Sequence, residues 1–326
     1  MVGSVRSQVT PSVAWLGDAA RFTQEWMVKS LLVQQIINGL SLGSVYALMA
    51  VGFALVFSIL KFSNFSHGSV IMISAYLGLW FSNSFDVGLF PTLLVCMIGG
   101  GTIAVIIEKI GFKPIRDKNG PLIYLFVSSI AISMFLQYLM TALLGGRFFM
   151  YRPLLKSSSL RFAGITIPIV NLAMLAASIV ALVFLLYVLY RTTIGIAIRA
   201  AATDLSTPNL LGININMLIS ITFFISGALA GIAGLFLGMS LNVYPQLGGL
   251  VLKAFVATVV GGLGSLGGAV IAAFMLGLLE TMITAYIGGA VTPMVSFTVM
   301  ILFLLFKPEG VAGLLGLSSG SATQKL

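Results

Sequence analysis

Few side chains in this sequence are equipped for chemistry. There is one histidine, His67, one cysteine, Cys96, and eight carboxylates spread over 326 residues. A hydrolytic site needs a nucleophile, a base and an orienting group within hydrogen-bond reach, and this inventory leaves little material for one. No Gly-x-x-x-x-Gly-Lys-Ser/Thr run occurs, so the chain carries no phosphate-cradling loop of its own. Any step driven by ATP would need another polypeptide. Cys96 stands alone inside an apolar run, which excludes an intrachain disulfide and reads as packing rather than metal ligation.

The more informative polar groups sit in apolar surroundings. The run Ile36–Leu60 is long enough to cross a bilayer, yet it carries Asn38, Ser41, Ser44 and Tyr46. Lipid penalises such groups, so they should face protein or water. They are the candidates for a solute pathway, with hydrogen bonding between helices as the other reading. Gly39, Gly43, Ala47, Ala50 and Gly52 along the same run permit close approach of neighbouring helices, which places it inside a bundle. A polar break follows, Lys61-Phe62-Ser63-Asn64-Phe65-Ser66-His67-Gly68. His67 could hold a substrate or a proton, or it could hydrogen-bond loop backbone at a span boundary. Asn64 reads the same two ways.

Glu280, a further candidate for the solute pathway, is the one acid well inside an apolar run. With the span starting near Gly268, it lies roughly 18 Å into a core about 30 Å thick. A lone carboxylate at that depth costs on the order of 2.5–3.5 kcal/mol, so it needs a partner or a watery niche. The glycine-rich break at 261–268 reads as a helical hairpin or as broken helices that meet within protein. Lys253 precedes it and could reach Glu280 if the two flanking runs form the hairpin. The alternative has Lys253 extending to the outer headgroups and Glu280 bonded to hydroxyls of other spans.

The elements that must position these groups are helices. The chain is 59% hydrophobic and 8% charged, with mean hydropathy +1.12, whereas soluble domains carry about 25% charged residues. The apolar runs are continuous rather than alternating, which favours an all-α polytopic transmembrane bundle over a barrel. About nine spans can be counted, with eight or ten compatible. Residues 31–313 form one transmembrane domain. Residues 1–30 are an amphipathic surface helix or a disordered segment without signal-peptide pattern, and 314–326 a disordered tail. The net charge of +9 is distributed singly or in short loops beside spans, as headgroup and orientation charges rather than a nucleic-acid surface. Glu108–Pro121 and 147–161 read as charged loops. The segment 191–216, RTTIGIAIRAAATDLSTPNLLGININ, combines a helix-forming stretch with Thr207-Pro208 as cap and first helical position. Leu210, Leu211 and Ile213 give it an apolar patch.

Asn38-Gly39-Leu-Ser-Leu-Gly43-Ser-Val-Tyr46-Ala47-Leu48, followed by Asn64-Phe65-Ser66-His67-Gly68, closely resembles the permease subunits of ABC importers for branched-chain amino acids. Ser66 and Ser69 depart from the family's usual alanine and acid. The resemblance runs from Gln34 to Gly313. It implies a subunit in the inner membrane of a prokaryote, with its C-terminus in the cytoplasm, that binds no cofactor. ATP would be used by cytoplasmic ATP-binding subunits. A second permease subunit, identical or not, would complete the pathway, and an extracytoplasmic binding protein would deliver substrate. Branched-chain or other hydrophobic amino acids are the implied cargo, with urea, amides and other small solutes known among relatives. The family's cytoplasmic loop matches 191–216 at Gly195, Arg199, Asp204, Leu211 and Gly212, and the implied ATPase-coupling residues are Arg199, Asp204, Leu210, Leu211 and Gly212. Ile196 stands where arginine is usual. The rival classes are a self-sufficient secondary transporter or channel, which would want more intramembrane carboxylates, and a membrane-embedded enzyme.

Overall fold

A computed structural model describes residues 11–155, 159–162, 165–204, 212–307 and 309–314. The chain is an all-α bundle, organised around α1, Pro11–Leu60. Its apolar part, Leu31–Leu60, can cross a membrane, and the backbone of 13–29 continues the same helix. Lys61 ends α1 in the left-handed region, at φ 55°, with its N–H donating to the Phe57 carbonyl at 2.9 Å. Helix α2, Ser66–Phe85, then starts. The Asn64 side chain caps it, accepting from the Ser66 N–H at 3.1 Å and the Ser66 hydroxyl at 2.6 Å.

Helix α3, Leu89–Ile107, passes through a π-helical turn, Glu108–Phe112, into α4, Lys113–Asp117. The stretch expected as a loop from Glu108 is therefore helical as far as Asp117. Pro114 supplies the reason. It has no N–H to continue an ordinary ladder, and the wider turn before it, closed by the Lys113 N–H on the Glu108 carbonyl, lets the helix continue past it. Helix α5 spans Leu122–Leu144.

A short antiparallel hairpin follows, β1 Ser159–Phe162 against β2 Ile165–Pro168, with Leu160 opposite Ile167. The expected span from Ile165 thus begins four residues later. Ile165-Thr166-Ile167 is β-branched throughout and suits a strand, and Pro168 disfavours helical geometry at Ile167. Helix α6, Ile169–Arg191, is followed by the short α7, Thr193–Thr203, and by α8, Ile215–Leu241. A 3-10 turn at Pro245–Leu250 leads into α9, Val251–Gly261, then α10, Leu266–Tyr286. Helix α11, Thr292–Phe306, and the turn-length α12, Gly310–Leu314, close the described chain.

Among the described residues, seven helices are long and apolar enough to cross a membrane. The sequence count of about nine includes two more, α2 and α9. Helix α2 is studded with buried polar residues, among them His67, Ser69, Ser74 and Ser82. Helix α9 has 11 residues, about 16 Å, which is half a bilayer.

From Val45 to Leu60 almost every side chain of α1 is buried, as is most of α8. Helices α5, α6 and α11 form the rim and turn Phe135, Val180, Phe184 and Leu305 outward. Backbone contact explains the small residues. A Cβ on Gly231 of α8 would strike the Cys96 carbonyl of α3, and one on Gly277 of α10 would strike the Gly43 backbone of α1. Helices that must touch through backbone use glycine where lipid gives no hydrophobic drive. The glycine break is a hairpin, one of the two forms that its sequence allows. Gly262 and Gly264 take φ 101° and 88°, and the Ser265 hydroxyl accepts from the Gly268 N–H to cap α10.

Candidate functional site

Helices α1, α9 and α10 bring three polar side chains together within the bundle. Lys253 of α9 and Glu280 of α10 form an ion pair, which is the partner that the depth of Glu280 demands. The Lys253 ammonium also donates to the Tyr46 hydroxyl of α1 at 3.1 Å and lies 5.4 Å from the centre of that ring. The Tyr46 hydroxyl also neighbours the Glu280 carboxylate. The side chains of Lys253 and Glu280 keep 23% and 11% of their exposure. A cavity of about 180 Å³ adjoins Lys253 and is otherwise lined by Gly249, Leu252, Val256, Pro293, Ser296 and Phe297. A larger cavity of about 490 Å³ lies between α2 and α5, lined mainly by apolar side chains such as Ile73, Leu77, Trp80 and Met140. It holds no charged group that could orient a polar solute.

The other candidates from the sequence are distributed elsewhere. Ser41 and Ser44 are buried and donate to carbonyls of their own helix, Ile37 at 2.8 Å and Ser41 at 2.7 Å. Asn38 accepts from the Asn171 amide of α6 at 2.9 Å, joining two helices. Asn64 caps α2. His67 is buried between α1, α2 and α8. The Ser226 hydroxyl donates to the Gly52 carbonyl at 2.8 Å and lies 3.3 Å from His67 Nδ1. His67 Nε2 has no partner among the described residues.

Of the coupling segment, Leu210 and Leu211 lie outside the described residues. Helix α7 is capped by Thr192, whose hydroxyl accepts from the Gly195 N–H at 3.1 Å. It buries Gly195, Ala197, Ile198 and Ala201 against the bundle and leaves Ile194 and Ile196 exposed. Arg199 stacks its guanidinium 4.8 Å from the Tyr190 ring centre. Asp204 ends α7, its N–H on the Ala200 carbonyl, and Gly212 has φ 76°. Lys61 reaches from the end of α1 to the Ala202 carbonyl at 2.9 Å, so α1 and α7 finish together.

Sequence reasoning missed a second buried pair. Glu108, fully buried, binds Arg116 at 3.0 Å and accepts from the Ser220 hydroxyl at 2.9 Å. Arg116 also donates to Asn216 at 2.8 Å. The spacing of eight, two turns of helix, was the available signal, obscured by reading Glu108–Pro121 as a loop. Tyr151, outside the spans, was missed too. Its hydroxyl donates to the Ala75 carbonyl at 2.6 Å and burial pushes its phenol above the usual range, so it stays a donor at every physiological pH.

Residues 35–304 match the family described as branched-chain amino acid transport system, permease component. Among characterised proteins, the chain is 36% identical over 303 residues to the high-affinity branched-chain amino acid transport system permease protein LivH of Salmonella typhimurium, covering 86% of this chain and 95% of that one. It is 34% identical over 303 residues to LivH of Escherichia coli K12, with the same coverage. It is 33% identical over 302 residues to the permease protein BraD of Pseudomonas aeruginosa, again over 86% and 95%. No solved structure matches it. The chain belongs to this permease family.

Proposed function

We propose that this member of the branched-chain amino-acid permease family is a membrane-spanning subunit of an ATP-driven importer that takes up branched-chain amino acids. The observation that carries the reading is the family match over 35–304, together with relatives of that name aligned along nearly their full length. A bundle with a charge pair held between its helices suits the passage of a polar solute. A second permease subunit, cytoplasmic ATP-binding subunits that bind and hydrolyse ATP, and an extracytoplasmic binding protein complete the assembly.

Orientation follows from the ends of the bundle. Thr258 bonds to the Ala50 carbonyl and Lys253 to Tyr46, so α9 runs in the direction of α1. The Gly262 tip, and α12 packed on it through Glu309 and Ala312, therefore lie toward the end marked by Lys61 and α7. Lys109, Lys113, Arg116, Lys118, Arg191, Arg199 and Lys307 belong to that end, while Arg147, Arg152, Lys156 and Arg161 belong in sequence to the loop at the other, so charge alone divides them poorly. That end and the C-terminus are taken as cytoplasmic because the family's loop matching 191–216 is cytoplasmic. Ile194 and Ile196, exposed on a helix that is otherwise docked, offer an apolar contact to an ATP-binding subunit, and Leu210 and Leu211 extend it in sequence.

The test is uptake of labelled leucine by the complete importer in a strain lacking its own branched-chain uptake. Leucine, isoleucine and valine should compete for uptake and urea should not. Urea competition without competition from the three amino acids would replace the substrate assignment. Ile194→Asp with Ile196→Asp should leave membrane insertion intact and abolish co-purification of the ATP-binding subunit. Unchanged co-purification would move the coupling surface elsewhere.

A further inference from the structure

The geometry points to Lys253 and Glu280 as an exchange site for a zwitterion. The pair opens to hold the carboxylate and ammonium of an amino acid passing through the permease, and the cavity beside Lys253 takes the apolar side chain. This inference rests on the permease reading above and deepens it.

An amino acid at neutral pH carries a carboxylate and an ammonium on one carbon, and both lose water when they leave the aqueous phase. Each charge needs a partner of opposite sign inside the bundle. Glu108 and Arg116 sit at the cytoplasmic end and are committed to Ser220 and Asn216. Among the described residues, Lys253 and Glu280 are the charged pair within the depth of the bundle, on the two arms of the glycine hairpin. They present the two signs that a zwitterion requires. In the exchange, the substrate carboxylate replaces Glu280 at the Lys253 ammonium, and the substrate ammonium replaces Lys253 at the Glu280 carboxylate. One ion pair becomes two, no proton moves and the net charge of the site is unchanged.

Two further features fit this use. The Tyr46 hydroxyl and ring also hold the Lys253 ammonium, so the lysine keeps a partner when the pair opens. The cavity that shares Lys253 is lined by Leu252, Val256, Pro293 and Phe297, a surface for an aliphatic side chain. Ser296 stands on the same wall, its hydroxyl turned to the Thr292 carbonyl at 3.1 Å.

The experiment uses the complete importer in proteoliposomes with leucine as probe. The variant that separates roles is the charge exchange, Lys253→Glu with Glu280→Lys. It keeps an ion pair across the hairpin, so a merely structural pair predicts normal uptake. The exchange site predicts a fall of about tenfold or more in maximal uptake, with melting temperature and bound ATP-binding subunits unchanged. Uptake at the unaltered rate overturns the inference. Should that variant fail to fold, Ser296→Cys in a Cys96→Ala background gives a second reading. Its labelling by a charged thiol reagent during turnover should slow about tenfold with saturating leucine. Labelling at the same rate with and without leucine, or no labelling in any state, overturns it. Failure of the unsubstituted importer to take up leucine would instead sink the permease reading, and this inference with it.

Discussion

Among the described residues, two ion pairs lie inside this bundle, and their surroundings differ. Glu108 and Arg116 share one continuous helical segment, two turns apart across the π turn, and both are tied to α8 through Ser220 and Asn216. Both Glu108 oxygens are engaged, and of the pair only Arg116 Nη1 is buried without a partner among the described residues. Lys253 and Glu280 lie on separate helices joined by a glycine turn, with Tyr46 as a third member and a cavity alongside. The first arrangement closes a network around a carboxylate, which is what keeps a buried charge tolerable. The second leaves the lysine bordering space. The contrast separates a charge pair that fixes helices in place from one that is free to change partners.

The largest effect should come from breaking the closed network. Glu108→Ala leaves Arg116 facing a gap and removes the acceptor for Ser220, and should cost about 3–5 kcal/mol of stability. Thermal unfolding in detergent measures it, and adding Arg116→Met should return part of the loss. The mobile pair should show a smaller stability effect and a larger effect on uptake. Glu280→Gln and Lys253→Met should be non-additive by about 0.5–3 kcal/mol in a double-mutant cycle; additive values would show that the two do not depend on each other. The smallest changes sharpen the contrast further. Tyr46→Phe and Ser220→Ala each delete one hydroxyl and should each cost about 1 kcal/mol. Only Tyr46→Phe should slow leucine uptake, because only its hydroxyl holds the lysine. Equal uptake in both variants would erase the distinction between the two pairs.

Much of this was legible from particular residues. The depth of Glu280 called for a partner, and Lys253 before the glycine break was close enough to supply one. The small residues of α1 placed it inside the bundle, where it lies. Ser41 and Ser44 show the limit. Their types marked them as groups that lipid would reject, but serine in a helix can satisfy itself on a carbonyl one turn back, and no pattern of residue types reveals which way a hydroxyl turns. Asn64 and His67 were likewise visible as polar residues at a boundary. Their partners, Ser66 in one case and Ser226 in the other, lie 2 and 159 residues away, and only the near one is readable locally.

By itself the sequence determined that the chain is a membrane-embedded helical bundle interrupted by a glycine-rich break, because continuous apolar runs leave the backbone no other way to satisfy its hydrogen bonds in lipid. It also determined the family, through motifs whose order and spacing persist along the chain. Tertiary structure alone decided which polar groups meet. It set Tyr46 beside Lys253, 207 residues away, and Ser220 on Glu108, 112 residues away. It also turned 165–168 into a strand and 108–117 into a helix. Helix formation depends on interactions within a turn, which residue types record. The meeting of side chains depends on how whole helices cross, and that is set by the sum of all their contacts.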